Sequence, residues 1–300
     1  MKFVRLYERL FIEIDKVKIL ILGGDGMLGH RLLLHMQDRH EACVTLRCAL
    51  SEYARHGIFN AANAFANMDV RHFDQVAMLH KNFRPDVVIN AVGVVKQRPE
   101  SEEGIPAIEI NALLPHRLAQ LCREQGSRLL HLSTDCVFSG TAGNYREEDI
   151  PDPHDLYGRS KLMGEVSMVP CLTLRTSIIG RELSRKTGLF EWFLAQAKGR
   201  NVRVKGFRNA IYSGFTTHEM ARIIEHMLVN HPDASGIYHV SSAPISKYDL
   251  LCMINTTLGL DVEILPDEEF RCDRSLDSTK FKKAFDYVPP SWPFMVRELE

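Results

Sequence analysis

Through the first half of the chain, short and nearly continuous apolar runs alternate with longer stretches whose apolar residues recur every three or four positions. Lys18 to Leu22 (KILIL) predicts a strand, Gly23 to Gly29 a glycine-rich turn, and Met27 to Met36 (MLGHRLLLHM) a helix. The pattern repeats with strands at Ala42 to Leu46, Asp86 to Ala91 and Ser127 to Leu132, and with helices at Asp74 to Phe83 and Ile108 to Glu124. Continuous hydrophobic strands between amphipathic helices predict an α/β fold, a Rossmann-type doubly wound parallel sheet covered on both faces.

From Cys136 to Asp155 the chain carries Gly140, Gly143, Pro151 and Pro153 among acidic residues, which predicts a long surface loop of the functional kind. A helix over Tyr157 to Met168 and a strand over Cys171 to Thr176 follow. Beyond Gly180 the alternation fades. Helices are predicted at Leu189 to Lys198, Thr217 to Val229 and Ser246 to Leu258, and an extended segment at Gly236 to Val240. The simplest partition is an extension at 1–16, a dinucleotide-binding domain at 17–175 to which the chain returns around 207–240, and a smaller α/β substrate domain filling most of 176–300.

Composition narrows the function. The 300 residues are 45% hydrophobic and 25% charged, ordinary globular usage that excludes disordered, collagenous and coiled-coil classes. A formal charge of -1 offers no general attraction to nucleic acid or an anionic membrane, so any anionic ligand has to meet a local cluster of positive groups. The seven cysteines follow no C-x-x-C spacing and suit reduced thiols in a cytoplasmic protein. No stretch approaches the roughly 18 apolar residues of a membrane helix, and the 13 histidines show no metal-ligand spacing. No metal is expected.

Gly23, Gly26 and Gly29 form G-x-x-G-x-x-G between strand and helix, with Met27 and Leu28 inside the turn. In the dinucleotide-binding reading the first glycine permits the turn, the second admits the pyrophosphate and the third lets the helix pack close to the sheet. A plain connecting turn would look similar. An NAD site usually places an acid at the end of the second strand, about 20 residues on, to hold the ribose 2'-hydroxyl. Here Val44-Thr45-Leu46-Arg47-Cys48 offers only Arg47, whose guanidinium suits a 2'-phosphate, so NADPH is expected, with NADH as the alternative.

Tyr157 and Lys161 stand four residues apart, on one face of the predicted helix. A phenol of ordinary pKa about 10 is a poor acid-base catalyst at neutral pH, and a neighbouring ammonium brings it nearer the working range. A helix-surface pair would share the spacing. The strand ending Ser133-Thr134-Asp135 raises its significance, because the C-terminal strand ends of a doubly wound sheet carry the ligand contacts.

With these residues in view the chain resembles the extended short-chain dehydrogenase/reductases, and within them the dTDP-4-dehydrorhamnose reductase group, from residue 17 to about 290. The matching segments are ILGGDGMLG, Asp69-Val70, Asn90-Ala91-Val92-Gly93, Asn111, STDCVFSG from Ser133, DLYGRSKLMGE from Asp155, LRTSIIG from Leu174, NAIYSGFTTHEMA from Asn209 and GIYHVSSAPISKYDL from Gly236. The resemblance implies NADPH-dependent reduction of the C4 ketone of a nucleotide-activated 4-keto-6-deoxysugar, in surface polysaccharide precursor synthesis. Thr134, Tyr157 and Lys161 match the catalytic triad: Thr134 orients the carbonyl, Tyr157 donates the proton, and Lys161 binds the nicotinamide ribose and biases the tyrosine. Asp69 and Val70 match the pair beside the adenine, Ala91, Val92 and Gly93 the backbone against its ribose, and Asn111 a helix asparagine near the active site. Ser133 falls among the cofactor contacts. For the nucleoside diphosphate the candidates are Arg175, Arg203, Lys205, Arg208 and Asn209, and a homodimer is the expected assembly.

Cys136 departs from the rhamnose-type reductases, which usually carry Tyr there, and reproduces the spacing of the epimerising cysteine of GDP-L-fucose synthases. Their partner histidine is absent, since Gly180-Arg181-Glu182 puts a glutamate at its place. Cys136 is read either as the epimerising residue of a 3,5-epimerase/4-reductase or as a small residue filling a tyrosine's place, and a UDP-sugar epimerase is a further alternative for the chain. The family also holds a non-catalytic NADP-binding regulatory subunit of methionine adenosyltransferase. Such a subunit is free to lose Tyr157 or Lys161, and both are present here.

Overall fold

The KILIL run becomes an interior strand of the main sheet, every residue from Ile19 to Leu22 fully buried and successive side chains entering opposite cores. Ile19 and Ile21 join the core that also holds Val87, Ile89, Leu172 and Leu174; Leu20 and Leu22 join the one holding Val88, Leu129 and Cys171. A sheet buried on both faces follows directly from runs without polar alternation. The computed structural model describes residues 16–95, 103–184, 186–199 and 201–299; apart from Lys16, the expected extension at 1–16 lies outside them.

Strands β1 (Lys18–Leu22), β2 (Glu41–Thr45), β3 (Ala64–Phe65), β4 (Val87–Asn90), β5 (Arg128–Thr134) and β6 (Cys171–Thr176) are joined by β10 (Gly236–His239) in one seven-stranded sheet. Its order is β10-β6-β5-β4-β1-β2-β3, and every pairing is parallel. The order reverses between β1 and β4, and the crevice at their C-terminal ends is where such sheets hold ligands. Gly23 and Ala91 open directly onto that crevice, immediately after β1 and β4.

The other strands are β7 (Ile178–Ile179) paired with β9 (Phe215–Thr216), and a three-stranded sheet of β8 (Val202–Tyr212), β11 (Ile245–Ser246) and β12 (Val262–Asp273). The return to the main sheet is narrower than the expected 207–240. Residues 207–212 belong to β8 in the small sheet, and the helix Thr217–Asn230 leads back to β10 beside β6. Glu225 of that helix accepts from His35 at 2.9 Å and His40 at 3.2 Å, tying it to the helix Gly29–Met36 and the turn after it.

Sequence reading assigned no strand to β8 or β12. Along β8 the buried positions Val204, Gly206, Ala210 and Tyr212 do alternate, but Arg203, Lys205, Arg208 and Asn209 are as numerous and mask the pattern. β12 contains Pro266 and five acidic residues, and its strand pairing is with β8, across a register shift between Asp267 and Arg271. Among the described residues no helix is long and apolar enough to cross a membrane, and no group of three or more His, Cys, Asp or Glu could hold a metal ion.

Candidate active site

Gly23 takes φ +87°, and the helix Gly29–Met36 comes so close that a Cβ on Gly29 would lie 2.0 Å from the Gly23 carbonyl oxygen. Both are constraints that only glycine meets without moving backbone. The turn is fixed from β2, since Gly23 N–H donates to Thr45 Oγ1 at 3.2 Å and Gly24 N–H to the Thr45 carbonyl at 2.9 Å. A Cβ on Gly26 would meet the Gly23 carbonyl at 3.2 Å. The helix N-terminus beyond Met27 and Leu28 brings first-turn amides and a positive dipole end, the ordinary cradle for a phosphate. Gly29→Ala is expected to weaken NADPH by at least about tenfold, because the methyl group has to push the Gly23 carbonyl out of that cradle. A fluorescence titration of NADPH measures it.

Around the crevice, Arg47 is exposed just past the end of β2. Asp69 accepts three side-chain hydrogen bonds from Arg71, which holds its carboxyl down at about 2, and Val70 beside it is buried. Ala91, Val92 and Gly93 are half-buried at the end of β4. Asn111 lies in a π-helical segment, Ala107–Leu113, fully buried. Its Oδ1 accepts from Val94 N–H at 2.9 Å, and its Nδ2 donates to the Val94 carbonyl and to Ser160 Oγ. Both ends of the amide are thus committed to protein, linking the strand-β4 loop to the Tyr157 helix.

Two close approaches position the helix Leu156–Met163. A Cβ on Gly158 would lie 2.2 Å from the Cys136 carbonyl, and one on Gly164, just past the helix, 1.9 Å from the Asn111 carbonyl. Asp155 caps the helix by accepting from Gly158 N–H at 2.8 Å. This seating brings Tyr157 against the end of β5. Thr134 Oγ1 accepts from Cys136 N–H at 3.1 Å, donates to Asp135 Oδ1 at 3.2 Å, and shares a hydrogen bond with Tyr157.

The electrostatics differ from the expectation for the pair. Tyr157 is raised above its usual value, chiefly by burial and then by the neighbouring Cys136, with the Thr134 hydrogen bond opposing. Lys161 is not among the chief causes of that shift. Its Nζ turns into the protein, donating to the Leu132 carbonyl at 2.5 Å with His131 Nε2 at 3.5 Å, and burial brings it down to about 8. Cys136 is pushed up to about 12 by burial and by the Asp135 charge, against the pull of Arg274, whose Nη1 lies 3.8 Å from Sγ. It is a thiol at neutral pH. Glu182, at the missing histidine's place, accepts from the Thr187 and Gly188 amides.

Arg175 is a correction to the sequence reading. It is 4% exposed and forms a two-pronged pair with Glu165, both bonds 2.8 Å, while Nη1 meets His239 Nε2 at 3.1 Å. The guanidinium of a buried pair is not available to a diphosphate. Ser133 is drawn the same way, its Oγ donating to Glu165 Oε1 at 2.6 Å. On the small sheet Arg203 pairs with Glu263, Lys205 with Asp267, and Asn209 Nδ2 donates to the Glu268 carbonyl. Arg208 lies over the Tyr248 ring at 4.3 Å, a stack rather than an ion pair. Sequence reading singled out neither Glu165, Arg274 nor His131, since an acid, an arginine and a histidine signal nothing until the fold sets their neighbours.

A glycine turn at the β1 end, a hydroxyl at the β5 end and a Tyr-x-x-x-Lys helix on one parallel sheet define the extended short-chain dehydrogenase/reductases, an oxidoreductase class. The chain belongs to the family described as the RmlD substrate binding domain, which it matches over residues 17–299. It is 27% identical to dTDP-4-dehydrorhamnose reductase of Aggregatibacter actinomycetemcomitans, over 92% of this chain and 95% of that one. It is 26% identical to methionine adenosyltransferase 2 subunit beta of Bos taurus, over 83% of this chain and 74% of that one. Among solved structures, a hypothetical dTDP-4-dehydrorhamnose reductase from Sulfolobus tokodaii aligns with TM-score 0.74 and 28% identity, covering 92% of this chain and 98% of that one. The Bacillus anthracis dTDP-4-dehydrorhamnose reductase in complex with NADP aligns with TM-score 0.77 at 21% identity, over 95% and 98% of the two chains, which speaks to the fold.

Proposed function

We propose that this protein reduces the C4 ketone of a nucleotide-activated 4-keto-6-deoxysugar with NADPH, in the manner of a dTDP-4-dehydrorhamnose reductase. The observation that carries the reading is the meeting of Tyr157 with Thr134 at the C-terminal end of β5, beside the crevice onto which the glycine turn opens. The turn suits the cofactor, because the Gly29 approach packs the start of the helix against the Gly23 turn at the end of β1, where a phosphate would meet the helix N-terminus. Gly23, Gly26 and Gly29, with the backbone of Met27 and Leu28, would hold its pyrophosphate, Arg47 its 2'-phosphate, and Val70 and Ala91 to Gly93 its adenosine end. When bound, the nicotinamide supplies the hydride that reaches the sugar C4.

Tyr157 supplies the proton. A phenol held above its usual value stays protonated across the neutral range and can donate to a developing alkoxide, a far stronger base. Thr134 fixes where the carbonyl oxygen sits. Arg208, stacked on Tyr248 and in no ion pair among the described residues, is the best-placed of the expected substrate contacts, whereas Arg203, Lys205 and Asn209 are engaged across the β8–β12 ladder. Cys136 as a thiol is suited to fill space or give a proton, and a base that removes C3 or C5 protons needs the thiolate. Reduction without epimerisation is therefore favoured. The relatives named as methionine adenosyltransferase subunits raise the regulatory reading, against which the complete Thr134, Tyr157 and Lys161 set stands.

The test is NADPH oxidation by the purified protein with 4-keto-6-deoxy sugars carrying dTDP, UDP or GDP, the product identified by NMR. Turnover with one of them is expected; none with any would overturn the reading. Arg47→Ala is expected to weaken NADPH by about ten- to a hundredfold, the worth of a charge-assisted hydrogen bond, and to leave NADH nearly unchanged. Equal loss for both would remove Arg47 from the 2'-phosphate.

A further inference from the structure

Between β3 and the helix Phe73–Phe83 runs an apolar groove of about 490 Å³, lined by Phe65, Met68, Met78, Leu79 and Phe83. Met78 is 66% exposed, whereas the other four are partly buried against the core that holds Val76 and Val88. β3 is the last strand of the main sheet, and among the described residues nothing pairs with its outer edge. Along the helix the groove runs from Gln75 to Phe83, about 12 Å. Its Phe83 end lies where the chain enters β1. Lys18 N–H donates to Asp86 Oδ2 at 2.8 Å, and Lys18 Nζ lies 4.6 Å from the centre of the Phe83 ring.

Residues 1–15 come immediately before Lys16, the first of the described residues. In their sequence, Phe3, Leu6, Tyr7, Leu10, Phe11 and Ile14 recur at the three- and four-residue spacing of one helical face. An apolar stripe of that kind is stable only against another apolar surface. We propose that segment 1–15 lays this stripe along the groove, its last residues beside Phe83 and its first toward Gln75, and so covers the open edge of the sheet. The lengths agree, since Phe3 to Ile14 span about 17 Å at helical rise. Charges agree in the same direction. Glu13 and Asp15 come to the helix end that carries the exposed Lys81 and Arg84, and Lys2 and Arg5 to the end that carries Asp74. Tethering favours this occupant over a second copy of the chain, because a segment joined beside the groove meets it at an effective concentration on the order of millimolar.

Limited trypsin digestion of the full-length protein reads the contact through cleavage after Arg5 and Arg9. Both bonds are expected to be cut slowly in the wild type and at least about tenfold faster in Met78→Asp and in Ile14→Asp, because cleavage follows the population of the undocked segment. Met78 is exposed enough for the fold to tolerate the aspartate. The double variant is expected to be cut no faster than either single one, since both residues act on one contact. Equal rates in wild type and Met78→Asp overturn the proposal, as does full additivity in the double variant. Photocrosslinking names the occupant. With p-benzoylphenylalanine in place of Met78, irradiation of dilute protein is expected to join position 78 to a peptide within residues 1–15, recovered from the monomer band of a denaturing gel. Joining between two molecules gives the groove to a second copy, and no product within residues 1–15 leaves it uncovered; either result overturns the proposal.

Discussion

Tyr157→Phe is expected to lower NADPH-dependent ketone reduction by about a hundred- to ten-thousandfold, the usual contribution of a positioned acid. Phenylalanine keeps the ring that packs against β5 and removes only the hydroxyl that shares a hydrogen bond with Thr134. NADPH affinity and thermal midpoint are therefore expected to stay close to wild type, and single-turnover kinetics should assign the loss to the chemical step. Turnover above a tenth of wild type would show that another group delivers the proton. The pH dependence has a stated direction. Because burial raises the phenol, its ionisation takes nothing away between pH 6 and 9, and any alkaline limb near 8 belongs to Lys161.

The largest effect on stability is expected at Glu165. Its carboxylate accepts from Arg175 through two bonds of 2.8 Å and from Ser133 Oγ at 2.6 Å, and the side chains of both Glu165 and Arg175 are 5% exposed. Glu165→Gln leaves a buried guanidinium uncompensated, which costs about 3–5 kcal/mol and is read as a shifted urea midpoint. Replacing both partners by methionine is expected to recover most of that loss, because the desolvation of each charge disappears with it. The double variant falling as far as the single one would mean that the pair orients Ser133 and β6 in a way that apolar packing does not reproduce.

Arg175 also shows where sequence reading stops. Within LRTSIIG the arginine looks like an anion contact, and the same letters serve a buried pair once β6 lies between β5 and β10 and the Glu165 loop folds across it. Lys161 repeats the lesson. Its spacing from Tyr157 places both on one helix, but which way the long side chain turns depends on β5, where the Leu132 carbonyl and His131 lie within reach. The small sheet was missed because β8 and β12 are half-exposed and polar, and their burial comes from pairing with each other.

The sequence by itself determined the parallel sheet, the glycine turn and the position of Thr134, Tyr157 and Lys161 along it. Strands buried on both faces need unbroken apolar runs, and a turn that brings a helix within 2.0 Å of a carbonyl, measured from the missing Cβ, admits only glycine. Those demands are local and leave marks in the letters. Tertiary structure alone decided the charges and partners: that Tyr157 is held as a phenol and Cys136 as a thiol, that Arg175 is engaged, and that Lys161 turns to the Leu132 carbonyl. A side chain's proton affinity and its partners depend on burial and on groups brought from distant parts of the chain, and neither is written at the residue itself.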